Sequence, residues 1–311
     1  MPRISVVIPV HNRVDLIRET LQSVAAQTYR DFEVIVVDDG STDGTPQILA
    51  EFLPDIRIIQ QAHAGQGGAT ARNAGIRVAT GEFIAFLDSD DLWLPQKLER
   101  QVTEFQRVPE LAWSYTDMEA FDSVTGTTLY RQSGSRRLYE GDILVPLFLQ
   151  MFVPLVTTMV RREVFARIGE FRPSPKGTDY DMLLRIAAEY PVGLVPEVLT
   201  RYRVHPQSVT NAMAGTTAYQ SIQAVLERAA GHNPERLTPL LPQALANAAR
   251  QAAFLAARSG HVHEARRLLR EAMRHTPHDS RLYLYYAPLL TGPRVTRLLG
   301  TWRRRVRALL S

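Results

Sequence analysis

The stretch Asp88-Ser89-Asp90-Asp91 places three carboxylates within four positions, straight after the unbroken apolar run Phe83-Ile84-Ala85-Phe86-Leu87. Such a run reads as a strand buried on both faces of a parallel sheet. In an open α/β sheet, ligands bind at the carboxyl ends of the strands, so these acids belong in a crevice. An Asp-x-Asp pair on a solvated turn suits a hard divalent cation, Mg2+ or Mn2+, which keeps several waters and shares its remaining sites with substrate phosphates. The same acids fit a helix cap. A helical pattern runs from Leu92 to Phe105, and Asp90 or Asp91 at its head would accept backbone N–H groups. Both readings satisfy the spacing, and one acid can cap while another ligates. Two further acidic pairs stand out. Asp38-Asp39 closes an apolar run of its own, and Asp179 and Asp181 head the helical pattern Met182 to Glu189. At i and i+2 near a helix start, one of that last pair is expected to cap and the other to project into the cleft.

The elements that must carry these acids follow from periodicity. Apolar, β-branched strands are expected at Ile4–Pro9, Phe32–Val37, Ile56–Gln60 and Phe83–Leu87, the first of them ended by its proline. Helices are expected between them, at Asp15–Gln27, Pro46–Phe52 and Ala69–Ala79. This alternation with short loops predicts a doubly wound, mainly parallel sheet. Arg72 and Asn73, on the first turns of the third helix, are expected to point into the same crevice as the acids. The loop before them, Ala64-Gly65-Gln66-Gly67-Gly68, matches neither the dinucleotide fingerprint nor the P-loop and reads as a flexible connection or a phosphate cradle. Further strands are expected at Trp113–Phe121, Val156–Val160, Val192–Val195 and Leu199–Val204. A hairpin is expected over Asp122–Tyr130 and a short helix over Glu163–Ile168. Trp93 suits either a sugar face or the core, and Lys97 reads as structural.

Composition narrows the function classes. The 311 residues are 45% hydrophobic and 22% charged, as in ordinary globular proteins with ample core. There is no cysteine, which removes disulfides, thiolate metal sites and cysteine nucleophiles. The net charge of +4 is carried almost wholly by arginine, and no nucleic-acid recognition motif accompanies it. No signal-peptide pattern follows Met1-Pro2-Arg3, and no apolar run approaches the ~20 residues of a membrane span. The expectation is a cytoplasmic chain, peripheral at most on the inner face of the cell membrane.

Six pieces in order then carry a resemblance: Ser5–Arg13, Val36–Ser41, Ala71–Gly75, Gly81–Asp91, Thr178–Asp181 and Tyr202–His205. Together they resemble a family 2 inverting glycosyltransferase of the GT-A fold, over residues 1 to about 210. The resemblance implies an α/β nucleotide-diphospho-sugar transferase fold with a Rossmann-like mixed sheet. It implies a nucleotide-sugar donor, a UDP-sugar, and a saccharide or lipid-linked acceptor in cell-surface polysaccharide or glycoconjugate synthesis. Asp39 would accept from the uracil imide N–H, with Pro9, His11 and Asn12 holding the base. Arg72 would approach the diphosphate, while Asp88 and Ser89 would face the ribose. Asp90 would bind Mn2+ or Mg2+, with Asp88 and His205 as further candidate ligands. A lone histidine such as His205 is equally consistent with a structural role. Asp179 matches the catalytic base; Thr178 stands where many relatives carry Glu, which leaves Asp181 as second choice. A nucleotidyltransferase would also present aspartates to metal and phosphate, but Pro9–Arg13 lacks the basic loop expected for a triphosphate. A non-catalytic sugar-nucleotide-binding module is opposed by the intact Asp88, Asp90 and Asp179.

The pattern changes to helix after about residue 212. Helices are expected at Tyr219–Ala230, Leu240–Ser259, Val262–His275 and Ser280–Leu290, and Ala252–His275 resembles a tetratricopeptide-like hairpin open to a protein partner. The domains read as 1–212 and 213–311. The tail 294–311 sets Leu298, Trp302 and Val306 among six arginines and reads as a basic amphipathic membrane contact or an ordinary surface helix.

Overall fold

A computed structural model describes residues 3–65, 68–205 and 215–279. The helix expected over Ser280–Leu290 and the basic tail over 294–311 lie outside the described residues. These residues divide into two compact units, one within 1–147 and 151–205, the other within 148–150 and 206–311.

The first unit is built on β1 (Ile4–Val10), β2 (Phe32–Asp39), β3 (Arg57–Gln61) and β4 (Phe83–Phe86), which pair in parallel in the order β3-β2-β1-β4. Their apolar runs are buried on both faces, from Ile4 and Val6 through Ile35 and Val36 to Phe83 and Ala85. The helices α1 (Ile17–Ala25), α2 (Thr45–Ala50) and α3 (Ala69–Val78) make the connections. Helix α1 turns Ile17, Thr20, Leu21 and Val24 inward, the spacing of one buried helical face. Helix α3 lies so close to β1 that a Cβ on Gly75 would collide with the Val7 side chain, which explains the glycine there. Strand β1 runs through Pro9 to Val10, one residue past the expected end. Its pairing with β4 stops at Val7, so the missing N–H of Pro9 breaks no ladder bond on that flank.

Beyond β4 the sheet is mixed and not mainly parallel. The remaining elements are β5 (Leu92–Trp93), α4 (Lys97–Arg107), β6 (Trp113–Asp122), β7 (Thr128–Arg131), α5 (Leu144–Leu149), β8 (Thr158–Arg161), α6 (Arg162–Ile168), α7 (Thr178–Glu189) and β9 (Val192–Val204). The order continues β4-β8-β6-β9-β5, with β8 antiparallel to both of its neighbours and β6 parallel to β9. Two expected strands merge into β9, which passes Pro196 where its register with β6 shifts. The helix expected from Leu92 begins only at Lys97, because Leu92 and Trp93 pair antiparallel with Thr200 and Arg201. Neither Asp90 nor Asp91 therefore caps it, and no side chain does.

Trp93 belongs to the core. It is 3% exposed, its Nε1 donates to Val156 O at 2.9 Å, and Lys97 Nζ lies 3.8 Å from its ring centroid. Lys97 is fully buried, with the carbonyl of Thr158 at 3.3 Å, and burial holds its ammonium well below the ordinary lysine value. Since the fold disfavours the charged form, stability should climb as pH rises from the folded value of this lysine toward its unfolded one, and level off above both. Lys97→Met is expected to remove that climb and to raise Tm at pH 7 by a few degrees, on the order of 1 kcal/mol. Thermal melts of both proteins from pH 7 to 10 test it. A lower Tm for the variant would show the ammonium's contact with Trp93 to outweigh its burial.

The second unit is helical throughout its described part: α8 (Thr216–His232), α9 (Pro234–Leu237), α10 (Leu241–Arg258) and α11 (Val262–His275). Ala249, Ala252, Ala253 and Ala256 of α10 share one core with Ala265, Leu268, Leu269 and Ala272 of α11, the alanines letting the two helices approach closely. The turn between them uses Gly260 at φ +84°. Among the described residues no helix is long and apolar enough to cross a membrane.

Candidate active site

The acidic turn leaves β4 at Leu87, whose N–H still donates to Val7 O, and closes with Asp91 N donating to Asp88 O. The end of β9 clamps it from the other side. The Arg203 N–H donates to Asp91 Oδ1 at 2.8 Å, and Arg203 Nε donates to Asp90 O at 2.7 Å. Glu19 of α1 orients that guanidinium, accepting from Nη2 at 2.6 Å. Asp91 is 1% exposed, and its Oδ2 has no partner among the described residues. Burial, then the charges of Asp90 and Asp88, push its carboxyl well above the usual range. Asp91 is thus the inner anchor of the turn, leaving Asp88 and Asp90 to face the crevice with side chains 32% and 19% exposed. The Nε2 of buried His205 lies 3.0 Å from Asp90 Oδ2, and Arg13 Nε lies 3.6 Å from the same oxygen. Ser89 is buried within the turn.

Arg72 joins this turn to α7. Its Nη2 donates to Asp88 Oδ1 at 2.6 Å, while Nη1 stands 3.2 Å from Asp179 Oδ1. Gly68, left-handed at φ +74°, precedes α3 and leaves room for the guanidinium, since a Cβ there would come within 2.9 Å of Arg72 Nη1. Burial works against the Arg72 charge, but the Asp179 and Asp88 carboxylates outweigh it and hold the group above its ordinary value. Asp88 is pushed upward by burial, opposed by Arg72 and reinforced by the neighbouring Asp179 and Asp90.

The Asp179–Asp181 pair divides differently from the expected cap and projection. Helix α7 starts at Thr178 after a left-handed Gly177, and neither acid caps it. Asp181 is 4% exposed and ion-paired inside the unit, 2.9 Å from Arg185 Nε and 3.4 Å from Arg172 Nη1. Asp179, with its side chain 32% exposed, is the one set beside Asp88 across Arg72.

A second cluster forms at the end of β2. Asp39 Oδ1 accepts from Gln61 Nε2 at 2.5 Å, and Asp39 Oδ2 accepts from His63 Nδ1 at 2.8 Å. His11 Nδ1 donates to the Asp39 carbonyl at 2.8 Å, and the two imidazoles stack with centroids 3.8 Å apart. Asn12, left-handed at φ +49°, ties this loop to the next: its Oδ1 accepts from Thr42 N and its N–H donates to Ser41 Oγ. Pro9 lies within β1, two positions before His11. Sequence reasoning missed Gln61, His63, Arg13, Glu19 and Arg203. Only the adjacency of β3 to β2 could have drawn attention to the first two, and only the pairing of the β9 end with the acidic turn to the last.

The sequence profile of glycosyl transferase family 2 matches residues 5–169. The chain belongs to that family. A glycosyltransferase of Escherichia coli, UDP-Glc:alpha-D-GlcNAc-diphosphoundecaprenol beta-1,3-glucosyltransferase WfaP, is 38% identical over 118 residues, 38% of this chain and 46% of that protein. Glycosyltransferases of Rickettsia conorii and Rickettsia felis are 31% and 30% identical over 202 residues, 65% of this chain but only 33% of each of those proteins. Among solved structures, TarS of S. aureus in complex with UDP aligns with TM-score 0.64 and 20% identity, covering 94% of this chain and 87% of that one. A mannosyltransferase of Pyrobaculum calidifontis, in complex with GDP-Man and Mn2+, aligns with TM-score 0.55 and 22% identity, covering 97% and 88%. At these identities the structural likeness speaks to fold, and the mixed sheet with its flanking helices is the GT-A type. Within the family 2 match lie β1, the Asp38-Asp39 loop, α3 and the acidic turn; α7 and the end of β9 lie beyond it.

Proposed function

We propose that the chain is a metal-dependent inverting glycosyltransferase that moves a sugar from a UDP-sugar to a hydroxyl of a saccharide or lipid-linked acceptor. The single observation carrying this is the placement of Asp88, Asp90 and Asp179 around Arg72 at the carboxyl end of β4. WfaP, by its name, uses a UDP-sugar and a diphosphoundecaprenol-linked acceptor, which supports a place in cell-surface polysaccharide synthesis at the inner face of the membrane. Residues 1–212 are the catalytic GT-A domain in this reading, and 213–311 a separate C-terminal region whose described part, within 215–279, is helical.

In the chemistry this geometry supports, the cluster at Asp39 and His11 holds the uracil, with the Asp39 carboxylate accepting its imide N–H. Arg72 turns from Asp88 and Asp179 toward the diphosphate and offsets its charge. Asp179 then takes the proton of the acceptor hydroxyl as that oxygen forms its bond to the anomeric carbon and the UDP oxygen departs from the opposite face, inverting the centre. Asp181, spent in two ion pairs, is poorly suited to that task.

The donor set suits a hard divalent cation. Asp90 and Asp88 offer oxygens and His205 a nitrogen beside Asp90. Among the described residues no three acidic or histidine side chains converge closely enough to hold an ion by themselves. Mn2+ or Mg2+ would therefore be shared with diphosphate oxygens, as expected of an ion that keeps open positions for phosphate. When bound, it supplies charge stabilisation to the departing diphosphate.

Incubation with a panel of nucleotide sugars, Mn2+ and candidate acceptors is expected to release UDP. Pyrophosphate release would identify a nucleotidyltransferase, and absence of turnover with every donor would leave a binding module.

A further inference from the structure

Asn73 follows Arg72 in the sequence, yet it does not reach the crevice. Its Nδ2 donates to Phe171 O at 2.9 Å, and its Oδ1 accepts from Phe171 N at 2.9 Å. Both residues are buried, Asn73 to 5% and Phe171 to 2% exposure. The two bonds reproduce what a facing strand residue gives in a hydrogen-bonded antiparallel pair, with one side chain standing in for the strand. The Phe171 ring is fixed as well. It meets Phe86 of β4 edge-on at 5.4 Å, and the Arg72 guanidinium lies 5.8 Å from its centroid. Phe171 is therefore held by the elements that carry Asp88 and Arg72.

What hangs from Phe171 is the approach to Asp179. Residues 171–177 have no helix or strand and lead directly into the first turn of α7. On the far side, Arg185 Nη2 donates to Glu170 O and Nη1 to Ile168 O, so the segment before the loop is also tied to α7. Asn73 is the α3 end of this brace. One turn further along α3, Arg77 pairs with Glu170, but that pair is exposed and its side chains are free to be hydrated.

We infer that Asn73 is a positioning residue for the proposed base: by holding the Phe171 backbone it sets Asp179 against Arg72 and the anomeric carbon. This rests on the reading of Asp179 above. Without the amide, the buried N–H and C=O of Phe171 lose their partners, and the segment relieves that by moving toward water. A displacement of about 1 Å at a reacting group costs on the order of a hundredfold in rate.

The test compares Asn73→Ala, Asn73→Asp, which can accept from the Phe171 N–H but cannot donate to its carbonyl, and Arg77→Ala as the control on the exposed pair. Turnover of the donor found in the panel should fall roughly ten- to a hundredfold for Asn73→Ala, less for Asn73→Asp, and within about twofold for Arg77→Ala. UDP affinity by calorimetry should stay within about twofold in all three, because the loop does not hold the nucleotide. Hydrogen exchange should quicken in peptides covering 169–181 and not in β1 or β2. Unchanged turnover, a loss of UDP affinity in step with the rate, or faster exchange throughout the unit would overturn the proposal. If Asn73→Ala does not fold, Asn73→Asp and its exchange pattern decide. Failure of the Asp179 reading would show separately, as an Asp179→Asn protein that keeps its rate while exchange over 169–181 still responds to Asn73.

Discussion

Asp179→Asn is expected to bind UDP within about twofold of the unaltered protein and to lose on the order of 10²- to 10⁴-fold in turnover, the usual worth of a positioned general base. The argument starts from exposure and partners. Asp179 shares Arg72 with Asp88, and its side chain is one-third exposed toward the crevice. An Asn of the same size preserves the shape of the first turn of α7 but cannot take a proton. The change leaves Arg72 and its 2.6 Å pair with Asp88 in place, so the group that would turn to the diphosphate is unaltered. Calorimetry with UDP and a coupled assay for UDP release separate the two quantities. Loss of UDP binding, or a rate near that of the unaltered protein, would remove Asp179 as the base. Asp181→Asn supplies the contrast. Asn in place of Asp181 removes the buried carboxylate that Arg185 pairs with, while Arg172, its side chain 43% exposed, can turn to water, so this change should appear first as a lower Tm.

The division between these two acids marks where the sequence stops being legible. Carboxylates at i and i+2 on a helix start look alike, and only the fold shows which one meets Arg72. One local signal was available. Arg185 stands four positions after Asp181, the spacing of an intrahelical ion pair, which points to Asp181 as the internal one. The strands β1 to β4 were readable because each is a short, nearly continuous apolar run, a pattern that parallel strands buried on both faces impose. Leu92-Trp93 was not readable. Its apolar spacing suits a helix, and what decides otherwise is pairing with Thr200 and Arg201, far away in the sequence. The same holds for Asp91, whose partner is the Arg203 N–H, and for Asn73, whose partner is the Phe171 backbone. Sequence pattern located the chemical groups; it could not tell which of them face the crevice and which hold the crevice in shape.

Asp90→Ala is expected to abolish the part of UDP binding that depends on Mn2+ while leaving the fold intact. Its carboxylate lies 3.0 Å from His205 Nε2, and it also faces Arg13 at 3.6 Å. The turn itself does not depend on that side chain. Arg203 holds the Asp90 carbonyl and the Asp91 carboxylate, and both contacts survive truncation to alanine. What is lost is negative charge at the place where a divalent ion would balance the diphosphate. In the unaltered protein, Mn2+ should tighten UDP binding by at least roughly tenfold, a free-energy gain of about 1.4 kcal/mol. In the variant, titrations with and without Mn2+ should coincide, with Arg72, Arg13 and His205 left to meet the diphosphate without the ion. Electron paramagnetic resonance of free Mn2+ in the presence of UDP gives the readout independent of turnover. A variant that still withdraws Mn2+ from solution as the unaltered protein does would move the ion to Asp88 and His205, and Asp90 would then be a partner for Arg13 and His205 instead of a ligand.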